Sequence, residues 1–276
     1  LGTILNVILD PIFIFTLGYG VGGAAMASAI SQAIVFFIFV YMLFVKEHAY
    51  VRFRLKDFSP SMFIIKDIIR VGFPASMSMI IMAFGQLVFN RILVHFSTDA
   101  VAAYQVGARL DMLIFLPIMA IASALTTLVG MFYGAKEWNK IKFIAKYGII
   151  RSVIITAILS VLLYIFAPQV VNGFTNEILI NSIAVTYLRY ICMIYPLIAV
   201  GMTIGRVLQG LGKGLPMLVI TSIRVLGLTA PLALFFTMVM DKPIEWVWLS
   251  MIISAIVSVI ISVIWLRSAF RSLTNN

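Results

Sequence analysis

The stretch that decides the fold is Trp246 to Leu266, which reads WVWLSMIISAIVSVIISVIWL and contains no charged residue. A run of about 20 apolar residues is long enough to cross the hydrocarbon core of a bilayer as an α-helix. A membrane-spanning β-strand would instead alternate polar and apolar residues over about ten positions. Because hydrocarbon offers no partner to backbone polar groups, this continuous run predicts a transmembrane helix.

The composition extends this interpretation to the whole chain. Hydrophobic residues make up 63% of the 276 positions and charged residues 11%, which excludes an ordinary soluble globular domain. The formal net charge of +10 could indicate nucleic-acid binding, but the basic residues cluster between apolar runs, where membrane orientation requires them. We therefore expect no nucleic-acid partner. The only cysteine, Cys192, lies in an apolar run and supports neither a disulfide nor a metal site.

Similar apolar runs predict an all-α, polytopic membrane helix bundle. A partial span covers residues 1–17, and seven complete spans lie near 21–45, 71–96, 101–133, 148–167, 183–208, 215–240 and 246–266. The 101–133 segment is too long for one straight crossing, so we expect outlying first turns, or a tilt and a bend at Pro117. The chain opens at Leu1 within an apolar stretch and without an initiating Met, which indicates a fragment.

The basic residues concentrate in alternate loops, and this pattern predicts the orientation of the chain. Cytoplasmic loops carry an excess of Lys and Arg. One set of alternate loops and the tail holds Lys46, Arg52, Arg54, Lys56, Lys66, Arg70, Lys136, Lys140, Lys142, Lys146, Lys213, Arg267 and Arg271. The intervening loops carry only Lys242 beside four acidic residues. We expect a multi-pass protein of the plasma membrane with a cytoplasmic C-terminus.

The basic segment before the second complete span also predicts the domain organisation. Residues 1–45 would be the end of an N-terminal lobe, 46–70 a cytoplasmic linker, and 71–276 a six-helix C-terminal lobe with a cytoplasmic tail. Within the linker, Ser59-Pro60 can cap and start a short helix with an apolar face. Such a helix would lie on the cytoplasmic membrane surface.

A weak internal repeat indicates two related bundles, as in many transporters. Residues 5–9 resemble residues 223–227 at an offset of 218, which sets Arg224 opposite Asn6. With a five-residue gap introduced into the alignment, residues 21–31 align with residues 244–254.

Asp10 is the strongest candidate for a coupling site, because a carboxylate within a span is costly and usually faces a cavity, a partner or an ion. Asn6 lies one turn earlier on the same helix face. Pro11 cannot donate to the carbonyl of Val7, which leaves that oxygen free. Carboxylate, amide and carbonyl oxygens suit a proton or a hard cation. Alternatively, Asp10 ties helices together through hydroxyls such as that of Ser28.

Other polar residues within the spans could line an aqueous cleft. Gln86 and Asn90 lie one turn apart, and Tyr104 and Arg224 are further candidates. Such amides equally often bond to neighbouring helices. Asp111 is the obvious acidic partner for one of the intramembrane arginines.

The sequence resembles the multidrug and toxic compound extrusion (MATE) family over essentially its whole length. The resemblance rests on NVILDPIFIF at Asn6 to Phe15, GVGGAAMASAISQ at Gly20 to Gln32, VGFP at Val71 to Pro74, the long segment from Ala100 to Gly134, and QGLG at Gln209 to Gly212. It implies a twelve-helix, two-lobe transporter. This chain would hold the end of the fifth helix, the sixth helix and the complete second lobe.

The resemblance also implies a cation site in the first lobe. In the branch that the chain most resembles, Asn6, Asp10 and Ser28 would join a carboxylate on a first helix that this sequence does not contain. Met82 stands at about the position where another branch carries a carboxylate on the seventh helix. Residues 198–205 lack the acidic residue that this other branch carries on its tenth helix. Coupling in the second lobe is therefore disfavoured.

The function implied by the resemblance is that of a secondary active antiporter. It would export drugs or organic cations in exchange for H⁺ or Na⁺ by alternating access, as a monomer in the lipid bilayer, with no cofactor beyond the coupling ion. A lipid-linked saccharide flippase of the same superfamily and a non-transporting membrane subunit are the alternatives. An enzyme is disfavoured, because the two histidines, His48 and His95, fall in or near loops and no paired acidic motif appears.

Overall fold

The computed structural model describes residues 1–44, 59 and 61–274, and all regular structure within them is helical. The helices are α1 (Gly2–Thr16), α2 (Gly20–Phe44), α3 (Met62–Phe96), α4 (Thr98–Gly134), α5 (Trp138–Asn172), α6 (Ile178–Gly210), α7 (Leu215–Val239) and α8 (Glu245–Thr274). Of these, the seven from α2 to α8 are long and apolar enough to cross a membrane, and α1 is shorter. The predicted helical membrane bundle is confirmed.

Several helices extend beyond the apolar runs that predicted them. α5 begins at Trp138 rather than at 148, and α4 continues unbroken through Pro117. Hydropathy marks only the part of a helix that hydrocarbon covers, whereas the backbone hydrogen bonds can continue into the headgroup region. Ser97 fixes the start of α4, because its side chain accepts a hydrogen bond from the backbone N–H of Ala100 at 3.0 Å.

The short surface helix predicted to start after Ser59-Pro60 is not a separate element, and this prediction was wrong. Met62–Phe96 is one continuous helix with Pro74 inside it. Proline costs a helix only one backbone hydrogen bond, here the one to the carbonyl of Arg70, and the turns on either side continue the helix through this point. Residues 46–58 and 60 of the predicted linker lie outside the described residues, and the predicted lobe boundaries stay predictions.

The chain divides into two compact units, Leu1–Ser61 and Met62–Asn276. In the first unit, α1 and α2 pack as a hairpin. Gly23 permits their close approach, because a Cβ atom there would lie 2.5 Å from the carbonyl oxygen of Phe13. Gly18 and Gly20 adopt the left-handed backbone conformation, with φ of 70° and 53°, that the turn between the helices requires.

In the second unit, α6 lies at the centre and contacts α4, α5 and α8. Its fully buried side chains include Tyr187 and Tyr195. α8 carries four buried serines at helical spacing: Ser250, Ser254, Ser258 and Ser262. Each hydroxyl donates to a carbonyl of its own helix, and Ser254 Oγ also lies 2.6 Å from Thr229 Oγ1 of α7. Small side chains let membrane helices approach closely.

The ends of α1 and α7 share one backbone pattern, which supports the internal repeat. α1 ends in a π-helical turn, Ile12–Thr16, and α7 in another, Phe235–Val239. In α1, Leu17 N–H donates to Ile12 O at 2.9 Å; in α7, Met240 N–H donates to Phe235 O at 3.1 Å. Each of these positions in α1 and its counterpart in α7 are 223 residues apart. The same offset relates residues 21–31 to residues 244–254.

This register corrects the predicted pairing of Arg224 with Asn6. Counted back from the matching turns, Thr229 corresponds to Asn6 and Ala233 corresponds to Asp10. The earlier pairing rested on five mainly apolar residues, which fit several registers along apolar helices. The second unit therefore carries no ionisable residue at the position equivalent to Asp10.

Candidate functional site

Asn6, Asp10 and Ser28 form a polar cluster inside the first unit. The side-chain amide of Asn6 donates to Asp10 Oδ1 and to Ser28 Oγ, each at 3.2 Å. All three side chains are half-buried. The structure thus brings together the three residues that the sequence singled out, two from α1 and one from α2.

The local sequence explains why these groups meet. Asn6 and Asp10 are one turn apart, so both point the same way from α1. Pro11 lacks an N–H and so deprives the carbonyl of Val7 of its regular α-helical donor. The π-helical turn that follows widens the helix at Ile12–Thr16, and such turns are frequent at functional sites.

The chemistry of this cluster is that of a small oxygen-rich site. A carboxylate, a hydroxyl and an amide oxygen that could rotate inward are ligands suited to a proton or to Na⁺. A site for a transition metal would need more ligating side chains, and the described residues contain no group of three or more His, Cys, Asp or Glu that could hold a metal.

The second unit contains a separate cavity of about 370 Å³. Of the residues predicted to line a cleft, Gln86, Tyr104 and Arg224 lie on its wall. Asn90 is not among the lining residues; its side-chain oxygen instead accepts a hydrogen bond from the amide of Gln105 at 3.3 Å. The cavity is therefore built from α3, α4, α6, α7 and α8 within one compact unit.

Asp111 is the carboxylate on this cavity wall, and sequence reasoning assigned it the wrong partner. It was expected to pair with an intramembrane arginine. Instead, Tyr187 donates to Asp111 Oδ2 at 2.6 Å and Tyr195 donates to Asp111 Oδ1. No ion pair to Asp111 occurs among the described residues. The two tyrosines are eight residues apart on α6 and share one face, a spacing that could have identified them.

An aromatic cluster continues from this carboxylate. The ring of Tyr104 stacks on Trp248 with centroids 6.3 Å apart, and Tyr187 meets Trp248 edge-on at 4.9 Å. Aromatic faces attract cations, and their bulk gives a rigid apolar surface. The cavity thus combines aromatic surface with a carboxylate that two hydroxyl groups hold in place.

Arg224 contributes a cation to the same wall, from the π-helical segment Ile223–Thr229 of α7. Thr229 Oγ1 lies 2.7 Å from the carbonyl oxygen of Arg224 and 2.6 Å from Ser254 Oγ, which links this segment to α8. Within the described ranges, no carboxylate lies within ion-pair distance of the guanidinium. A charge at this depth is costly and commonly functional.

Comparison with known proteins gives a consistent answer. The MatE family model matches residues 74–235. The chain is similar to a protein of Thermotoga maritima described as the probable multidrug resistance protein NorM, with 28% identity over 252 residues, 90% of this chain and 54% of that protein. It is also similar to the multidrug export protein MepA of Staphylococcus aureus, with 30% identity over 76% of this chain and 46% of that protein.

A solved structure supports the fold. The crystal structure of MATE in the straight conformation matches with a TM-score of 0.95 and 34% identity, covering 100% of this chain and 62% of that chain. The chain spans about half the length of the curated relatives that it matches.

Proposed function

Because the chain belongs to the MatE family, whose members are transporters and not enzymes, we propose that it acts in secondary active antiport. It would export drugs or organic cations in exchange for H⁺ or Na⁺ by alternating access. The observation that carries this proposal is the hydrogen-bonded cluster of Asn6, Asp10 and Ser28. An intramembrane carboxylate with two polar neighbours is what a coupling ion would need.

The coupling step follows from the chemistry of Asp10. Protonation neutralises the Asp10 carboxylate, whose Oδ1 accepts a hydrogen bond from the Asn6 amide. Na⁺ would compete with that amide for the same oxygen. Either event changes the hydrogen bonds between α1 and α2, since the Asn6 amide also bonds Ser28 on α2. A cation that binds one conformation better than the other shifts the population toward it.

The substrate would use the cavity of the second unit. Its volume of about 370 Å³ falls in the range of sites for small molecules. The rings of Tyr104 and Phe89 on the wall favour amphipathic molecules, and Asp111 favours a basic group. Arg224 on the same wall disfavours molecules with more than one positive charge. We therefore propose amphipathic drugs with at most one cationic centre as the best substrates.

The seven membrane-length helices in the described part of the chain require a lipid bilayer around them. The alternating distribution of basic residues supports a plasma-membrane orientation with the C-terminus in the cytoplasm. We further propose that the protein works as a monomer.

The test is ethidium efflux from energised cells that express the full-length protein, measured under imposed pH and Na⁺ gradients. Asp10→Asn should abolish gradient-driven efflux, because an amide can neither take up a proton nor bind Na⁺ as a carboxylate does. The matched control is Asp241→Asn, which removes a carboxylate from the loop after α7 and should leave efflux intact. Retained efflux in Asp10→Asn would contradict this coupling site. Absence of ethidium efflux from the normally expressed wild type would contradict drug export.

A further inference from the structure

The cavity of the second unit carries two side chains of opposite charge on its wall, Asp111 of α4 and Arg224 of α7. They are the only charged side chains among the described residues that line it. Each lies within a membrane-length helix, where an unpaired ion is costly. The two groups do not form an ion pair in the described part of the chain, because the Asp111 carboxylate is held by Tyr187 and Tyr195 of α6.

The two charges are fixed by different helices, so their separation is part of the fold. Both carboxylate oxygens of Asp111 accept from tyrosines of α6 that are almost fully buried. The segment that carries Arg224 is tied to α8, since the hydroxyl of Thr229 lies 2.7 Å from the carbonyl oxygen of Arg224 and 2.6 Å from Ser254 Oγ. The cavity therefore presents a positive and a negative group at two separate places on its wall.

The guanidinium group of Arg224 lacks an acceptor within the protein. A guanidinium has five N–H donors, and no described residue accepts a hydrogen bond from this one. The other side chains around the cavity are mainly apolar. A carboxylate of a bound molecule is the best acceptor, because its two oxygens match the planar fork of the guanidinium. Arg224 is therefore suited to hold a carboxylate of the ligand.

We propose that this cavity selects zwitterionic aromatic molecules, with the ligand carboxylate on Arg224 and the cationic centre of the ligand near Asp111. This inference rests on the proposed function, which takes the cavity as the substrate site, and adds the carboxylate as a requirement for tight binding. A zwitterion brings an opposite charge to each group on the wall, whereas a simple cation leaves Arg224 unpaired and is repelled by it. The rings of Phe89 and Tyr104 provide surface for the aromatic body.

The experiment compares two fluorescent probes by fluorescence polarisation with the purified full-length protein. The first is zwitterionic rhodamine, a diaminoxanthylium cation with a free benzoate group. The second is its methyl ester, which keeps the cation and loses the negative charge. A hydrogen-bonded charge of this kind is worth about 10- to 100-fold in affinity. The wild type should bind the zwitterion more tightly than the ester by this factor.

Arg224→Gln should lose this preference, because it binds the zwitterion about 10- to 100-fold more weakly than the wild type does. It should bind the ester and ethidium at least as tightly as the wild type, which also shows that the variant is folded. Arg224→Lys keeps the charge without the two-pronged geometry and should restore part of the preference. The matched control is Arg189→Gln, which removes an exposed arginine that lies over the ring of Tyr164 and should leave the binding of both probes unchanged.

Three results would overturn the carboxylate site while ethidium still binds. They are equal affinity of the wild type for the two probes, unchanged binding of the zwitterion by Arg224→Gln, and equal loss of both probes in that variant. The proposed substrate site itself would fail in a different way, because Asp111→Asn would then leave the binding of ethidium unchanged. That result would overturn both proposals.

Discussion

Replacing Gly107 with alanine should destabilise the second unit and break the hydrogen bond that fixes Asp111. A Cβ atom at this position would lie 2.3 Å from Cδ1 and 2.4 Å from Cε1 of Tyr187. Ordinary contacts begin near 3.4 Å, so the ring must move by about 1 Å. The hydroxyl of Tyr187 lies 2.6 Å from Asp111 Oδ2, and a shift of this size takes it beyond hydrogen-bond distance.

The energetic cost has two parts. Overpacking a closely packed core costs about 1–3 kcal/mol. A lost hydrogen bond to a charged group adds about 1.5–3 kcal/mol. We therefore expect Gly107→Ala to lower the free energy of unfolding by about 2.5–6 kcal/mol. Gly72→Ala is the matched control, because no atom of the described residues lies within 4 Å of a Cβ atom at this helical glycine.

Cys192 provides the assay, since it is buried and is the only cysteine of the sequence. Its labelling by a thiol-reactive fluorophore during heating of the detergent-solubilised protein reports unfolding. Tyr187→Phe keeps the ring but removes the hydroxyl and its hydrogen bond to Asp111. Gly107→Ala removes the same hydrogen bond, so the double variant with both substitutions loses it only once. The double variant should therefore be about 1.5–3 kcal/mol more stable than the sum of the two single effects predicts. Simple additivity, or equal stability of Gly107→Ala and Gly72→Ala, would refute the reasoning.

Two pairs of substitutions test the helix contacts with the same assay. Gly210→Ala should destabilise by about 3 kcal/mol or more, because its Cβ would lie 2.7 Å from the backbone oxygen of Thr126, which cannot rotate away. Gly201→Ala on the same helix, where the nearest atom is 3.9 Å away, should be nearly neutral. Thr229→Val should cost about 1–2 kcal/mol through the lost hydrogen bond to Arg224 O, and Thr229→Ser should restore most of it. Equal effects within either pair would contradict the contacts.

The helical fold was predictable because the bilayer imposes a simple rule on sequence. Runs such as Trp246 to Leu266 leave helices as the only spanning structure, and the described residues form seven membrane-length helices. Helix ends were less predictable, since polar residues can continue a helix beyond the hydrocarbon. α3, for example, begins at Met62 and continues through Pro74, whereas the apolar run alone predicted a span from 71.

The two sites differ in how much of each could be predicted from the sequence. Asn6 and Asp10 are one turn apart, so their proximity follows from helix geometry, whereas Ser28 was one possible hydroxyl partner and was placed in the site by the family resemblance. The partners of Asp111 are 76 and 84 residues away in the chain. Such a contact depends on how α4 packs against α6, so charge complementarity suggested an arginine where the fold supplies two tyrosine hydroxyls.

The most direct test of the coupling proposal is the release of bound cation when substrate is added to the purified full-length protein. Ethidium added in weakly buffered solution, with parallel H⁺ and Na⁺ electrodes, would measure how many cations leave. The account predicts release of about one H⁺ or Na⁺ per wild-type molecule, since exchange requires the two ligands to favour different conformations. Asp10→Asn should release none while still binding ethidium. Undiminished release from Asp10→Asn would contradict the assignment of the coupling ion to Asn6, Asp10 and Ser28.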